Sequence, residues 1–92
     1  MVTPEDIRQA VLSNQLIITE HVLVRMMQRS VRAPEIAEVL LKGAVDDWKH
    51  NATPFPTCRF SYTLLNSKRL CAVVGYDGDL KQAHIITVYW DS

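Results

Sequence analysis

No stretch of this sequence stays apolar for the roughly 18–20 residues that a membrane-crossing helix needs, so no membrane span is expected. Met1–Asp6 has neither a basic lead nor an apolar core and does not read as a secretory signal. Glycine is scarce, and Gly43, Gly75 and Gly78 are isolated. Without a glycine-rich loop to cradle phosphates, ATP-dependent chemistry has no candidate. There are 2 cysteines, Cys58 and Cys71. They form no C-x-x-C pair, and His21, His50 and His84 form no H-x3-H pair, so no metal site or other cofactor is expected. Both cysteines fall in strand-like segments and read as reduced core thiols of a cytoplasmic protein. No Ser-His-Asp order assembles with any specificity, which leaves covalent-nucleophile catalysis without a basis.

Net charge is lacking too, since 10 basic residues balance 10 acidic ones. The distribution is less even than the sum. No acid occurs between Glu20 and Glu35, a span holding Arg25, Arg29 and Arg32. None occurs between Asp47 and Asp77, where Lys49, Arg59, Lys68 and Arg69 lie. If the two spans share a face, the molecule has a positive side; ordinary solvated charge explains the spacing equally well.

What is present is ample apolar material, 48% of 92 residues, enough for one small core over residues 1–92. Thr3-Pro4-Glu5-Asp6 reads as an N-cap, a proline at the first helical position and acids in the first turn. The first helix is expected to run to about Leu12, with Ile7, Ala10 and Val11 inward, and Asn14 stops it. Leu16-Ile17-Ile18 reads as a short extended link. Thr19 caps a second helix that ends near Ser30. Pro34 opens a third, with Ile36, Val39 and Leu40 inward and Gly43 as its C-terminal stop.

From Ala44 onward the pattern is that of strands. Ala44 to Trp48 reads as an edge strand, and His50 to Phe55-Pro56 as a loop whose two prolines exclude central pairing. Strands follow at Cys58 to Leu65, Leu70 to Tyr76 and Ala83 to Trp90, with turns at Asn66-Ser67 and Asp77-Gly78. The fold class is α+β, with two or three N-terminal helices packed on a C-terminal antiparallel sheet of about four strands.

The most informative stretch is the second helix. His21, Arg25 and Arg29 stand four residues apart and so share a helix face. Val22, Leu23, Met26 and Met27 are expected to form the adjacent buried stripe. An imidazole suits proton transfer near neutral pH, and a guanidinium fork binds two phosphate oxygens at once. The plain alternatives are a helix-start imidazole on a backbone carbonyl, and arginines paired with Glu20 and Glu35. In the last strand, strict alternation puts His84, Ile86, Val88 and Trp90 on one face and Ala83, Ile85, Thr87 and Tyr89 on the other. The sheet face away from the helices can present Arg59 beside a tyrosine or histidine of a neighbouring strand. Tyr62, Tyr89 or Trp48 can stack on an unpaired base. Trp48 and Trp90 read equally well as core caps, His84 as a structural residue and His50 as an exposed loop residue.

The run His21-x3-Arg25-Met26-x2-Arg29 is followed by Pro34-Glu35-Ile36-x2-Val39-Leu40-x2-Gly43. Then come Pro54-x-Pro56, Leu70-Cys71-Ala72-Val73-Val74 and Ile85-Ile86-Thr87-Val88-Tyr89. In order and spacing this resembles the bacterial domain-of-unknown-function family 4258, from about Ile18 to Tyr89. Ser30 stands where that family commonly has glycine. The family is itself similar to the RelE/ParE and BrnT superfamily of toxins, and the resemblance implies a RelE-like, toxin-like domain. It further implies a metal-independent RNA endonuclease of the mRNA interferase type, from a bacterial toxin–antitoxin pair. The implied partners are RNA, free or on the ribosome, and an antitoxin with a zinc finger and a helix-turn-helix. On this reading His21, Arg25 and Arg29 are catalytic, while Arg59, His84, Thr87 and Tyr89 bind substrate. The alternatives are a non-catalytic protein- or nucleic-acid-binding module on the same fold, and a homodimer paired through an open sheet edge.

Overall fold

The computed structural model describes residues 1–91. In chain order it contains α1 (Pro4–Leu12), β1 (Leu16–Ile17), α2 (Glu20–Gln28), α3 (Ala33–Lys42), β2 (Ala44–Lys49), β3 (Thr57–Thr63), β4 (Arg69–Asp77) and β5 (Gln82–Asp91). The helix starts form as their sequences dictate. The Thr3 hydroxyl accepts from the Asp6 backbone N–H at 3.3 Å, and the Asp6 carboxylate accepts from the Thr3 N–H at 2.9 Å. Two orphan donors of α1 are thereby satisfied reciprocally. The Thr19 hydroxyl accepts from Val22 N–H at 3.3 Å and starts α2 in the same way. Asn14 ends α1 in the left-handed region, at φ 58°, where asparagine is tolerated better than most residues.

The strands form one sheet in the order β1-β5-β4-β3-β2. Neighbours among β2–β5 are antiparallel, as expected. The link at Leu16-Ile17 is a fifth strand, parallel to the start of β5 through Leu16 opposite Ala83 and Ile17 opposite His84, so the sheet is mixed. Two residues are too few to show a period, which is why the sequence presents them only as extended chain. One face of the sheet buries Phe60, Leu70, Ala72, Val74, Ala83, Ile85 and Val88 against Ile7, Val22, Met26, Ile36, Val39 and Leu40 of the three helices.

Two local expectations change. In α2 only Val22 and Met26 are buried, while Leu23 (45%) and Met27 (81%) are exposed. That helix lies against β5 at one side of the sheet and needs only a narrow inward stripe. Gly43 ends α3 with φ −75° and ψ 162°, in extended rather than left-handed backbone. Its lack of a side chain serves a close approach instead. A Cβ there would lie 2.4 Å from the Val39 carbonyl oxygen and 2.7 Å from that of Ser61. Arg8 ties the same corner, donating to the carbonyls of Leu40 at 3.2 Å and Gly43 at 3.0 Å, the exposed end of α3.

Candidate functional site

The three residues of the α2 stripe have different fates. His21 and Arg25 are exposed, and among the described residues neither makes a side-chain hydrogen bond or ion pair. Glu20 and Glu35 do not pair with the stripe, for Glu35 meets Arg32 instead at 3.9 Å. Arg29 is half-buried, and its guanidinium donates to the Val88 carbonyl of β5. Its own carbonyl accepts from the Trp90 indole N–H at 2.6 Å. Arg29 therefore fastens the end of α2 to the outer edge of β5, satisfying an edge carbonyl that has no neighbouring strand.

The sheet face turned away from the helices holds a second polar constellation. Its position depends on an irregularity in β5. Val73 faces Thr87 across the ladder but Val74 faces Ile85, so β5 carries one extra residue, Ile86, at this point. Such a bulge shifts the alternation by one. Ala83 and Ile85 before it, and Val88 and Trp90 after it, all turn toward the helices. His84, Thr87 and Tyr89 consequently share the opposite face, which overturns the alternation expected for this strand. Residues directly opposed in an antiparallel ladder lie on the same side. At the centre of the open face are three rows: Thr57, Gly75 and His84; then Asp46, Arg59, Val73 and Thr87; then Ala44, Ser61, Cys71 and Tyr89; the row beyond them is Thr63, Arg69 and Asp91.

Arg59 is the centre of the middle row. It donates through Nε to Asp46 Oδ1 at 2.9 Å and through Nη2 to Asp46 Oδ2 at 2.8 Å. Its Nη1 reaches the Tyr89 hydroxyl at 3.2 Å. The two hydrogen bonds from Arg59 hold the Asp46 carboxyl below its ordinary range. The carboxylate and the phenol in turn push the Arg59 pKa further up, so the guanidinium is permanently charged. Three of the five N–H donors of an arginine are thus occupied, leaving two for a ligand. The Tyr89 oxygen accepts from Arg59, which leaves its own O–H free to donate outward. Beside them Arg69 donates to Ser61 Oγ at 2.8 Å and approaches Asp91 at 3.8 Å. A planar guanidinium locked in place, a free phenolic donor and a second arginine form an anchor for an anionic oxygen next to a surface for stacking.

Asp46 and Ser61 are not among the residues that the sequence singles out, and Arg69 appears there only as a member of the second acid-free span. The alternation Arg59-x-Ser61-x-Thr63 hints at Ser61, but Asp46 joins the site only through the β2–β3 register. Cys71 lies buried beneath this lattice, while Cys58 lies on the helix side of the sheet, three rows away in the register. Both are free, and side chains on opposite faces of a sheet cannot bridge. Burial pushes the Cys58 thiol up to about 12.

At one end of the open face, loop residues 50–56 fold over the sheet. The Phe55 ring stacks on the His84 imidazole with centroids 4.9 Å apart. Trp48, half-buried against the core, stacks on the exposed His50 with centroids 5.1 Å apart. No hydrogen bond or ion pair joins His21 or Arg25 to Arg59, His84 or Tyr89 among the described residues. Nor does any group of three or more His, Cys, Asp or Glu side chains gather closely enough to hold a metal ion among them. No described helix is long and apolar enough to cross a membrane.

No curated protein and no solved structure matches the chain. The family described as Domain of unknown function (DUF4258) does match, over residues 18–90. That segment takes in all of α2 and α3 and the sheet from β2 through Trp90, and the chain belongs to the DUF4258 family.

Proposed function

We propose that this protein acts on RNA as a metal-independent endonuclease on a RelE-like fold, the toxin of a bacterial toxin–antitoxin pair in the cytoplasm. The observation that carries the reading is the Asp46–Arg59–Tyr89 unit on an open sheet face, with Arg69 beside it. Single-stranded RNA needs charged contacts for its phosphates and flat side chains for its bases. Arg59 and Arg69 supply the first, with the Thr87 and Tyr89 hydroxyls as neutral donors beside them, and the Tyr89 ring supplies the second. His21, exposed and without a side-chain partner among the described residues, is the proton-transfer group of this reading, with Arg25 one turn away on the same helix face. Arg29 acts as a positioning residue, holding that helix on β5.

The direct test is induced expression in a bacterial host, with total RNA followed by primer extension. Growth arrest with discrete new RNA ends is expected. His21→Ala, Arg25→Ala and Arg59→Ala should each relieve the arrest while the protein stays folded and soluble. Unimpaired growth and intact RNA, with full-length soluble protein present, overturn the reading.

A non-catalytic module on the same fold is the second reading, favoured by one observation. Leu23, Val24 and Met27 of α2 are exposed together on the outer side of the helix. A contiguous apolar surface of that kind suits a protein partner such as an antitoxin. Pairing of β2 edges into a homodimer has less in its favour. That strand carries Asp46, Asp47 and Lys49, and its ladder is irregular between Asp46 and Lys49, both features that discourage edge-to-edge association.

A further inference from the structure

The His84 imidazole contains the buried side-chain nitrogen or oxygen atom that lacks a partner among the described residues: Nε2 makes no hydrogen bond. A buried polar atom left unpaired is a standing penalty, and one in a native fold calls for an explanation. The Phe55 ring is stacked over the face of this imidazole at an interplanar angle of 27°. Gly75 stands opposite His84 in the ladder, beneath the same ring. A Cβ on Gly75 would lie 3.6 Å from Phe55 Cβ and Cδ2 and 3.4 Å from Ile86 Cδ1. Those are ordinary van der Waals separations, so the ring rests on the strand there without crowding it. Beside the stack is a cavity of about 240 Å³ lined by Thr19, Thr53, Pro54, Thr57 and Ile86 along with the two rings. A cavity of about 150 Å³ accepts a benzene ring, so this one is large enough for a single flat heterocycle.

We propose that the place held by Phe55 is a nucleobase subsite and that Phe55 is its plug. This inference rests on the RNA reading above and adds to it where one base goes. An unpaired base of the bound strand displaces Phe55 and stacks on the face of the His84 imidazole, while Nε2, whose hydrogen bond lies in the plane of the ring, meets the ribose 2′-hydroxyl of the same strand. Thr19, Thr53 and Thr57 are the other polar residues that line the cavity. The loop that must move has few ties: its backbone hydrogen bonds are Ala52 N–H to Lys49 and Tyr76 N–H to Pro56. His84 lies on the same face as Arg59, Thr87 and Tyr89, so one strand can reach both the base subsite and the phosphate anchor.

Fluorescein-labelled hexauridylate and hexaadenylate, titrated by anisotropy, test this with wild-type, Phe55→Ala, Phe55→Leu and His84→Ala proteins. A plug lowers apparent affinity by the fraction of time that it stays seated. Removing it in Phe55→Ala is expected to tighten binding by about tenfold, with Phe55→Leu in between. His84→Ala should weaken binding by about tenfold. In ¹⁵N-imidazole spectra of the wild type, the Nε2 resonance of His84 should shift as hexauridylate is added. If RNA binds the wild type but the Phe55 variants bind no tighter and the Nε2 resonance stays still, the subsite is wrong and the RNA reading stands. If neither oligonucleotide binds the wild type or the Phe55 variants, both fall together.

Discussion

Asp46 and Arg59 set one another's charge, and this fixes how the site responds to acid. The folded pKa of Asp46 lies below its ordinary 3.8, chiefly because of the hydrogen bonds from Arg59. The folded state therefore keeps the carboxylate ionised where the unfolded chain has begun to take up protons. By linkage the pair stabilises the fold above that range, and the contribution disappears as pH falls through the lowered value. The difference in melting temperature between wild type and Asp46→Asn should thus hold steady from pH 7 to 5 and shrink below 3.8. A difference that persists undiminished in acid would mean that the carboxylate's charge is not what matters. At this scale the sequence is a partial guide. Arg59, Thr87 and Tyr89 stand out from residue type and family resemblance. Asp46 does not, because its role exists only once β2 is laid beside β3. Arg29 misleads in the opposite sense: its spacing groups it with His21 and Arg25, yet its guanidinium is taken up by the Val88 carbonyl.

The elements themselves follow closely from local chemistry where that chemistry is strong. Thr3-Pro4 and Thr19 announce the starts of α1 and α2, and the Asp77-Gly78 turn joins β4 to β5 as expected. In that turn, however, the left-handed residue is Lys81, at φ 54°, while Asp77 Oδ1 accepts from the N–H groups of Asp79 and Leu80. Features that depend on a neighbour are hidden. The β5 bulge leaves no mark in Ile85-Ile86-Thr87, whose apolar run supports either alternation, and it alone decides that Thr87 and His84 share a face. Gly43 is legible as the end of α3 but not for its reason. Since the added Cβ of Gly43→Ala meets backbone atoms of Val39 and Ser61 rather than a flexible side chain, the helix and strand must separate. A loss of about 2 kcal/mol is expected, and a fall of about 8–16 °C in melting temperature, by calorimetry. A near-neutral Gly43→Ala would show that α3 and β3 do not sit so close.

Over the whole molecule, a formal charge of zero conceals an arrangement in which acids neutralise parts of the basic face without removing its donors. Asp46 and Asp91 lie beside Arg59 and Arg69, so a sum over the sequence cannot reveal the anchor, and long-range attraction for RNA should be modest. The molecule offers two surfaces of different character, the polar open face of the sheet and the exposed α2 with His21, Arg25 and its apolar outer side. The central claim of the proposal is that RNA is anchored on the first and extends from it to His21 on the second. Backbone amide spectra recorded during titration with hexauridylate test it most directly. The largest shifts are predicted at Arg59, Cys71, Thr87 and Tyr89, with loss of those shifts in Arg59→Ala. Shifts confined to residues of α2 such as Leu23 and Met27, or no shifts at all, would contradict the claim.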